Sequence, residues 1–392
     1  MTDTVLWLLA LFVLVIAGES AHVRLSETRG VSPIASAAAV AFMLSLPSRP
    51  GALGSAVVLA GVAAVVVASL IGTAIAEAAG VSTTGSHLLS RVVTALVAGA
   101  GAQLLADMGV ERTMAPDGRD WVYALALWLV ALTASASQTF AVSLWSAWTE
   151  RRSLSVALQD ELASFGMLSV ASATTAVMIV LSRDAVGLWG PFLFALPLVL
   201  SIAAARRYAQ TRRTYRETIA TLSRLTDLAG YTPALHARRV ADLSVALARR
   251  HGLPQRQIDT VEYAALLHDL GQVALDEPIP GGATVLAAPR DQERIAADGV
   301  AIIRHSGVLD AAADVLMRQA MPYRHMREDD ERIPLESRII KLANAFEDFT
   351  GGSREPGVVS VALERIQLGL GYEYDPDLVD DLVTVLTDPR PR

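Results

Sequence analysis

The chain has 392 residues, of which 52% are hydrophobic and 19% are charged, and its mean hydropathy is +0.40. Soluble domains carry about 25% charged residues, so part of this chain is expected to lie in lipid. The absence of cysteine excludes disulfides, thiol nucleophiles and thiolate metal sites, which leaves His, Asp and Glu as the strong metal ligands. The formal net charge of -7 argues against nucleic acid as a partner, because binding to it depends on neutralising phosphates.

The first half of the chain is sparse in charge and rich in Ala, Val, Leu, Gly and Ser. A helix that crosses a bilayer needs about 20 apolar residues, and on that rule we predict about seven spans. The predicted spans are 4–18, 32–47, 54–76, 88–106, 121–145, 161–181 and 185–205. Residues 1–205 are therefore predicted to form a multi-pass helix bundle in the lipid bilayer of the cell membrane.

Ionisable residues inside a span would indicate a transport or proton path. Arg91 and Glu77 lie near the ends of predicted spans, so we expect a bundle that packs through small residues such as Gly61, Gly99 and Gly101. This pattern favours a sensor over a transporter. It does not indicate which signal is sensed.

Arginines follow the last predicted span at positions 206, 207, 212, 213 and 216. Positive charge next to a span marks the inner side, so the C-terminal half is predicted to be cytoplasmic. Within residues 206–230, Tyr208, Tyr215, Leu222 and Ala229 recur every seven residues, as in a coiled seam. The segment is predicted to be either a stalk that forms a homodimer or an amphipathic linker helix.

Residues 231–392 read as a soluble helical domain. An apolar stripe that includes Val240 and Leu247 predicts a helix ending at Gly252, and a second helix is predicted from Pro254 to Leu270. Further helices are predicted at 291–304, 308–320, 335–350, 357–368 and 376–386. No alternating strand pattern of useful length occurs, so the fold class is all-α.

The adjacent pair His268-Asp269 is the sharpest chemical feature of this domain. It lies in the segment Leu-Leu-His-Asp-Leu-Gly near a predicted helix end, where both side chains can reach one cation. His236 lies on the preceding helix, and the segment Ala-Asn-Ala-Phe-Glu around Asn344 follows far downstream. This order predicts a metal site assembled from several helices.

The stretch from about Tyr215 to Leu386 resembles the HD-GYP branch of the HD-domain metal phosphohydrolases. The matching pieces are Tyr231-Thr232-Pro233, His236, Arg239-Val240, Ala265 to Gly271, Ile333-Pro334-Leu335, Arg338-Ile339-Ile340, Ala343 to Phe346 and Gly371 to Pro376. The resemblance implies a helical bundle that holds two or three metal ions, usually iron or manganese, and hydrolyses cyclic di-GMP. It also implies His236, His268, Asp269 and Asn344 as metal ligands, with Asp269 as the catalytic residue.

The chain departs from the pattern of that family at several positions. The family's Lys is Gln272 here, which we assign to substrate binding, and its closing Asp is Asn344. Its other His ligands fall near Ile295, Gln319 and Ala320, and the Gly-Tyr-Pro signature is absent. The retained residues are therefore expected either to hold one divalent ion (Fe, Mn or Mg) weakly or to persist as a buried hydrogen-bonded cluster without metal.

Four further residues could replace the lost ligands. His305 and His325 are expected to be solvated surface residues. Glu347 and Asp348 directly follow the Asn344 segment, and we expect them to face solvent rather than to supply the missing carboxylate.

Two functions remain open from the sequence. The first is a membrane-anchored signalling protein whose degenerate domain, a pseudoenzyme that is catalytically weak or silent, relays a membrane signal. The alternative is an active metal-dependent phosphodiesterase that acts on cyclic di-GMP or another nucleotide.

Overall fold

The structure, a computed structural model, describes residues 2–21, 23–24, 30–47, 52–81, 86–110, 120–150, 152–275, 277–279, 282–305 and 309–387. The chain divides into two compact units, Met1–Thr211 and Arg212–Arg392. The boundary between them falls inside one long helix.

The first unit consists of helices and one small hairpin. Its elements are α1 (Thr2–Ser20), β1 (Val23–Arg24) antiparallel to β2 (Gly30–Val31), α2 (Pro33–Leu44), α3 (Ala52–Ala78), α4 (Ser86–Asp107), α5 (Asp120–Glu150), α6 (Leu154–Leu181), α7 (Arg183–Val186) and the beginning of α8 (Gly190–Leu228). Among the described residues, six helices are long and apolar enough to cross a membrane: α1, α3, α4, α5, α6 and α8. The predicted multi-pass helix bundle is confirmed in the length and composition of these helices.

The prediction of a span at 32–47 is wrong. This segment forms α2, which has only 12 residues, all of them buried. At 1.5 Å per residue such a helix is about 18 Å long, well short of the roughly 30 Å hydrocarbon core. The described residues thus hold six candidate spans rather than seven, and α2 packs inside the bundle against α1, α4 and α6.

Small residues bring the helices of this unit close together, as expected. A Cβ atom added at Gly99 would lie 2.6 Å from Cε of Met43, and one at Gly101 would lie 2.5 Å from Cγ1 of Val130. Gly61 likewise leaves room for the side chain of Met43. Packing of side chains against small residues in this way holds helices together where apolar burial gives no driving force.

Arg91 lies near the beginning of α4, and its side chain is buried inside the bundle with only 1% exposed. Its guanidinium donates to the carboxylate of Glu19 on α1, to Oγ of Ser36 on α2 (2.6 Å) and to the carbonyl of Ser32 (3.1 Å). The hydroxyl of Ser36 donates to Oε1 of Gln138 on α5. Polar contacts therefore tie four helices together.

The second unit is all-α, as predicted. It contains the end of α8, α9 (His236–Arg250), α10 (Gln255–Leu267), α11 (Pro289–Arg304), α12 (Asp310–Leu316), α13 (His325–Glu328), α14 (Leu335–Thr350), α15 (Pro356–Leu368) and α16 (Pro376–Thr387). Among the described residues, an apolar core joins these helices apart from α13 and includes Leu247, Val261, Ile340 and Phe346.

The end of α8 contributes Ile219 to this core. Tyr208, Tyr215 and Leu222 of the predicted coiled seam are exposed. A homodimer through residues 206–230 stays a prediction, as do the domain limits at 205/206 and 230/231.

Among the described residues between α10 and α11, two short 3-10 turns occur, at Leu270–Ala274 and Thr284–Leu286. The first turn packs against α11 through Gly271, where an added Cβ would lie 1.9 Å from the carbonyl oxygen of Ile295. This close approach fixes the chain directly after Asp269.

Candidate metal centre

His268 and Asp269 follow the last residue of α10 and are almost completely buried. Nδ1 of His268 donates to the carbonyl of Ala265 (2.7 Å), which directs Nε2 towards the site. Oδ1 of Asp269 accepts a hydrogen bond from the hydroxyl of Thr284 (2.8 Å), and its Oδ2 lies 3.1 Å from Nε2 of His268. Each side chain is therefore held by one atom and presents another to the site, as metal ligands commonly do.

His236 begins α9 and reaches the same point from another helix. Its Nε2 lies 3.4 Å from Oδ2 of Asp269 and 3.0 Å from Oδ1 of Asn344. The same amide oxygen lies 3.1 Å from Nε2 of His268. The structure thus brings together the four residues that the sequence nominates as metal ligands, whose roles stay predictions.

The spacing of these donor atoms fits one metal ion. Ligand atoms on neighbouring corners of an octahedron, with bonds of about 2.1 Å, lie about 3 Å apart. One donor atom from each of His236, His268 and Asp269 lies within 4.8 Å of the other two. Within the described part of the chain, these three residues form a group that could hold a metal ion. Two imidazoles with a carboxylate suit iron and related first-row metals.

The expectation that Glu347 and Asp348 face solvent is wrong. Glu347 is buried and pairs with Arg239 (3.0 Å) and Arg354. The side chain of Asp348 is 2% exposed, and its Oδ1 lies 3.7 Å from Nε2 of His236. The helical period could have indicated that Asp348 faces the site, because positions 344 and 348 share one face of a helix.

The charges of the site are coupled through Asp269. Burial alone would lower the pKa of His268, but the carboxylate of Asp269 outweighs this effect and raises the pKa to about 9. For His236 burial prevails and its pKa is lowered. Burial and the charge of Asp269 raise the pKa of Asp348 to about 7. The pKa of Asp269 itself is lowered, because the attraction of both histidines exceeds the cost of burial.

Gln272 lies behind the site rather than on its surface. Its side chain is fully buried, and Nε2 donates to Oγ1 of Thr284 (3.0 Å), which in turn donates to Asp269. Gln272 thus positions Asp269 through one intervening hydroxyl. Its assignment to substrate binding stays a prediction.

The other sequence candidates lie elsewhere. His305 is exposed, with Nδ1 2.7 Å from the carbonyl of Ala301, and His325 lies beside Asp329 and Glu331. Gln319 is near the site, since its Nε2 donates to the carbonyl of His268 (2.9 Å).

Comparisons with known proteins match the part of the chain that holds these residues. Residues 234–348 match the HD domain family. The cyclic di-GMP phosphodiesterase response regulator RpfG of Xanthomonas campestris pv. campestris is 25% identical over 202 residues, which are 48% of this chain and 52% of the relative. The 3'3'-cGAMP-specific phosphodiesterase 2 of Vibrio cholerae serotype O1 is 25% identical over 185 residues, 44% of this chain and 35% of the relative.

The chain therefore spans about half the length of the first relative and about a third of the second. No solved structure matches it significantly. The matched residues include His236, His268, Asp269, Asn344 and Asp348, so the buried cluster lies within the matched segment. Residues 234–348 of this chain are an HD domain.

Proposed function

We propose that this protein is a membrane-anchored signalling protein whose cytoplasmic HD domain binds one divalent metal ion and slowly cleaves a phosphodiester bond of a cyclic dinucleotide. The observation that carries the proposal is the convergence of His236, His268 and Asp269 on one buried point. The names of both curated relatives support the substrate class. The six candidate spans support the membrane anchor.

His236 and His268 would hold the metal through Nε2, Asp269 through Oδ2 and Asn344 through its amide oxygen. A divalent metal in such a site supplies Lewis-acid polarisation of a phosphoryl oxygen and stabilisation of developing negative charge. The contacts of Ala265 with His268 and of Thr284 with Asp269 keep these donor atoms in place before a ligand arrives. Such preorganisation lowers the cost of binding.

The proposed rate of phosphodiester cleavage is low because two charged side chains of the related family are replaced by neutral ones in this chain. Gln272 stands where the related family has a lysine, and Asn344 is a neutral amide where that family has an aspartate. Fixed charges near a reacting phosphate contribute strongly to stabilising its transition state. This chain offers neutral amides at both positions.

The test uses the full-length protein purified in detergent. We expect one metal ion per chain by elemental analysis, and slow turnover of cyclic di-GMP or 3'3'-cGAMP in the presence of Mn²⁺. His268→Ala is expected to remove both the metal and the turnover, because it deletes a buried ligand. His305→Ala, which removes an exposed histidine outside the site, should change neither. A well-folded protein that takes up no divalent metal would contradict the proposal.

A second function is favoured by the neutral groups at positions 272 and 344. In this second function, the domain binds the metal and a nucleotide without cleaving the nucleotide, and it only relays a membrane signal. Bound metal and saturable nucleotide binding, without turnover of either cyclic dinucleotide, would support this pseudoenzyme reading over slow hydrolysis.

Metal uptake should depend on pH through His268. With a pKa of about 9 in the metal-free domain, this imidazole is protonated at neutral pH and must lose its proton to bind a metal. Lowering the pH therefore weakens binding, and we expect the Mn²⁺ affinity to rise about tenfold per pH unit between about pH 7 and pH 9.

Calorimetric titration with Mn²⁺ in two buffers of different ionisation enthalpy measures this effect, since it reports the protons released. At neutral pH His268 is expected to contribute about one released proton per metal ion. An affinity that stays constant over this range would show that His268 is not a ligand that must be deprotonated.

A further inference from the structure

We propose that Asp348 is a metal ligand, which supplies the second carboxylate that the site lacks at position 344. The inference rests on the metal centre of the proposed function. Asp348 lies on α14, and its Oδ1 is 3.7 Å from Nε2 of His236, close to the separation of 3.4 Å between Nε2 of His236 and Oδ2 of Asp269.

The carboxylate of Asp348 is oriented in the same way as that of Asp269. Its Oδ2 accepts a hydrogen bond from the backbone N–H of Val285 (3.1 Å), while Oδ1 is the atom nearest His236. Asp269 is held at Oδ1 by Thr284 and presents Oδ2. Carboxylates that bind metals are typically fixed by one such hydrogen bond. Neighbouring residues of one 3-10 turn thus orient both carboxylates.

The two buried carboxylates of the site suit a bound divalent cation. Buried carboxylates are stable only when they are paired or coordinate a metal. Glu347 is paired with Arg239 and Arg354, whereas among the described residues no arginine or lysine forms an ion pair with Asp348 or Asp269. The groups that face these two carboxylates are His236 and His268. A divalent cation would neutralise both acids while the imidazoles act as neutral ligands.

The position of Asp348 follows from the helix that carries it. Residues four apart on a helix lie one above the other on the same face, so Asn344 and Asp348 both look towards His236. The related family has its carboxylate at the position of Asn344. The carboxylate of Asp348 is displaced from that position by one helical turn. Asn344 remains a neutral donor beside it.

The test is a Mn²⁺ titration of the full-length protein in detergent, with thermal unfolding of each metal-free variant as a check of folding. Asp348→Asn keeps the size of the side chain and removes its charge, and we expect it to weaken Mn²⁺ binding by at least about tenfold. Asp314→Asn is the matched control, because it removes an equal charge from an exposed pair with Arg304 and should leave the affinity unchanged.

The double variant Asn344→Asp/Asp348→Asn moves the carboxylate back by one turn, and it should recover most of the lost affinity. Wild-type affinity in folded Asp348→Asn would overturn the inference while leaving the proposed metal site intact. Failure of the wild-type protein to bind Mn²⁺ would overturn the proposed function as well, so the two failures are distinguishable.

Discussion

Gly271→Ala is expected to destabilise the HD domain by about 3 kcal/mol or more, at the upper end of overpacking effects. A Cβ at this position would lie 1.9 Å from the carbonyl oxygen of Ile295 and 2.7 Å from the backbone nitrogen of Gly299. Both are backbone atoms of α11, so no change of side-chain rotamer can relieve the clash. The helix must move, and the chain directly after Asp269 moves with it.

Thermal unfolding followed by circular dichroism measures this effect. For a domain of this size, 3 kcal/mol corresponds to a fall of about 6–12 °C in Tm. Gly357→Ala is the control, because an added Cβ there meets no atom within 4 Å and α15 favours alanine over glycine. Equal Tm values for Gly271→Ala and the wild type would contradict the close packing of this turn on α11.

Arg91→Ala is expected to destabilise the N-terminal unit by about 3–5 kcal/mol, because it leaves the buried charge of Glu19 without its partner. The substitution also removes the donors to Ser36 and to the carbonyl of Ser32. In a bundle that packs mainly through small apolar residues, these contacts specify how α4 is placed against α1 and α2.

Intrinsic tryptophan fluorescence during thermal unfolding in detergent reports this unit, since Trp7 and Trp128 lie within it. The double variant Glu19→Gln/Arg91→Gln removes both charges and should be more stable than Arg91→Ala. Arg213→Ala breaks an exposed i,i+4 pair and should cost less than about 0.5 kcal/mol. Similar unfolding of Arg91→Ala and Arg213→Ala would contradict a structural role for the buried pair.

The sequence predicts the helical fold and the residues of the His-Asp cluster well, because both depend on local spacing. The apolar stripe of α9 and the pair at the end of α10 place His236 and His268 at helix ends. The resemblance to a known family adds Asn344, which the structure places within 3.1 Å of both imidazoles.

The errors arise where burial depends on tertiary contacts. A hydropathy window cannot distinguish α2, which is enclosed by other helices, from a helix that faces lipid. Arg91 lies near one end of α4 in sequence, yet its partner Glu19 comes from α1, 72 residues away. Glu347 and Asp348 are adjacent and polar, and both are buried because each contacts a different residue, Arg239 for Glu347 and His236 for Asp348.

The turn Thr284–Leu286 touches both carboxylates of the site, through Thr284 on Asp269 and Val285 on Asp348. Since adjacent residues carry the two donors, a small displacement of this turn would stretch both hydrogen bonds at once. The two acids would then lose their alignment together rather than one after the other. In the proposed centre, the position of a single three-residue turn would therefore set the alignment of both acidic ligands.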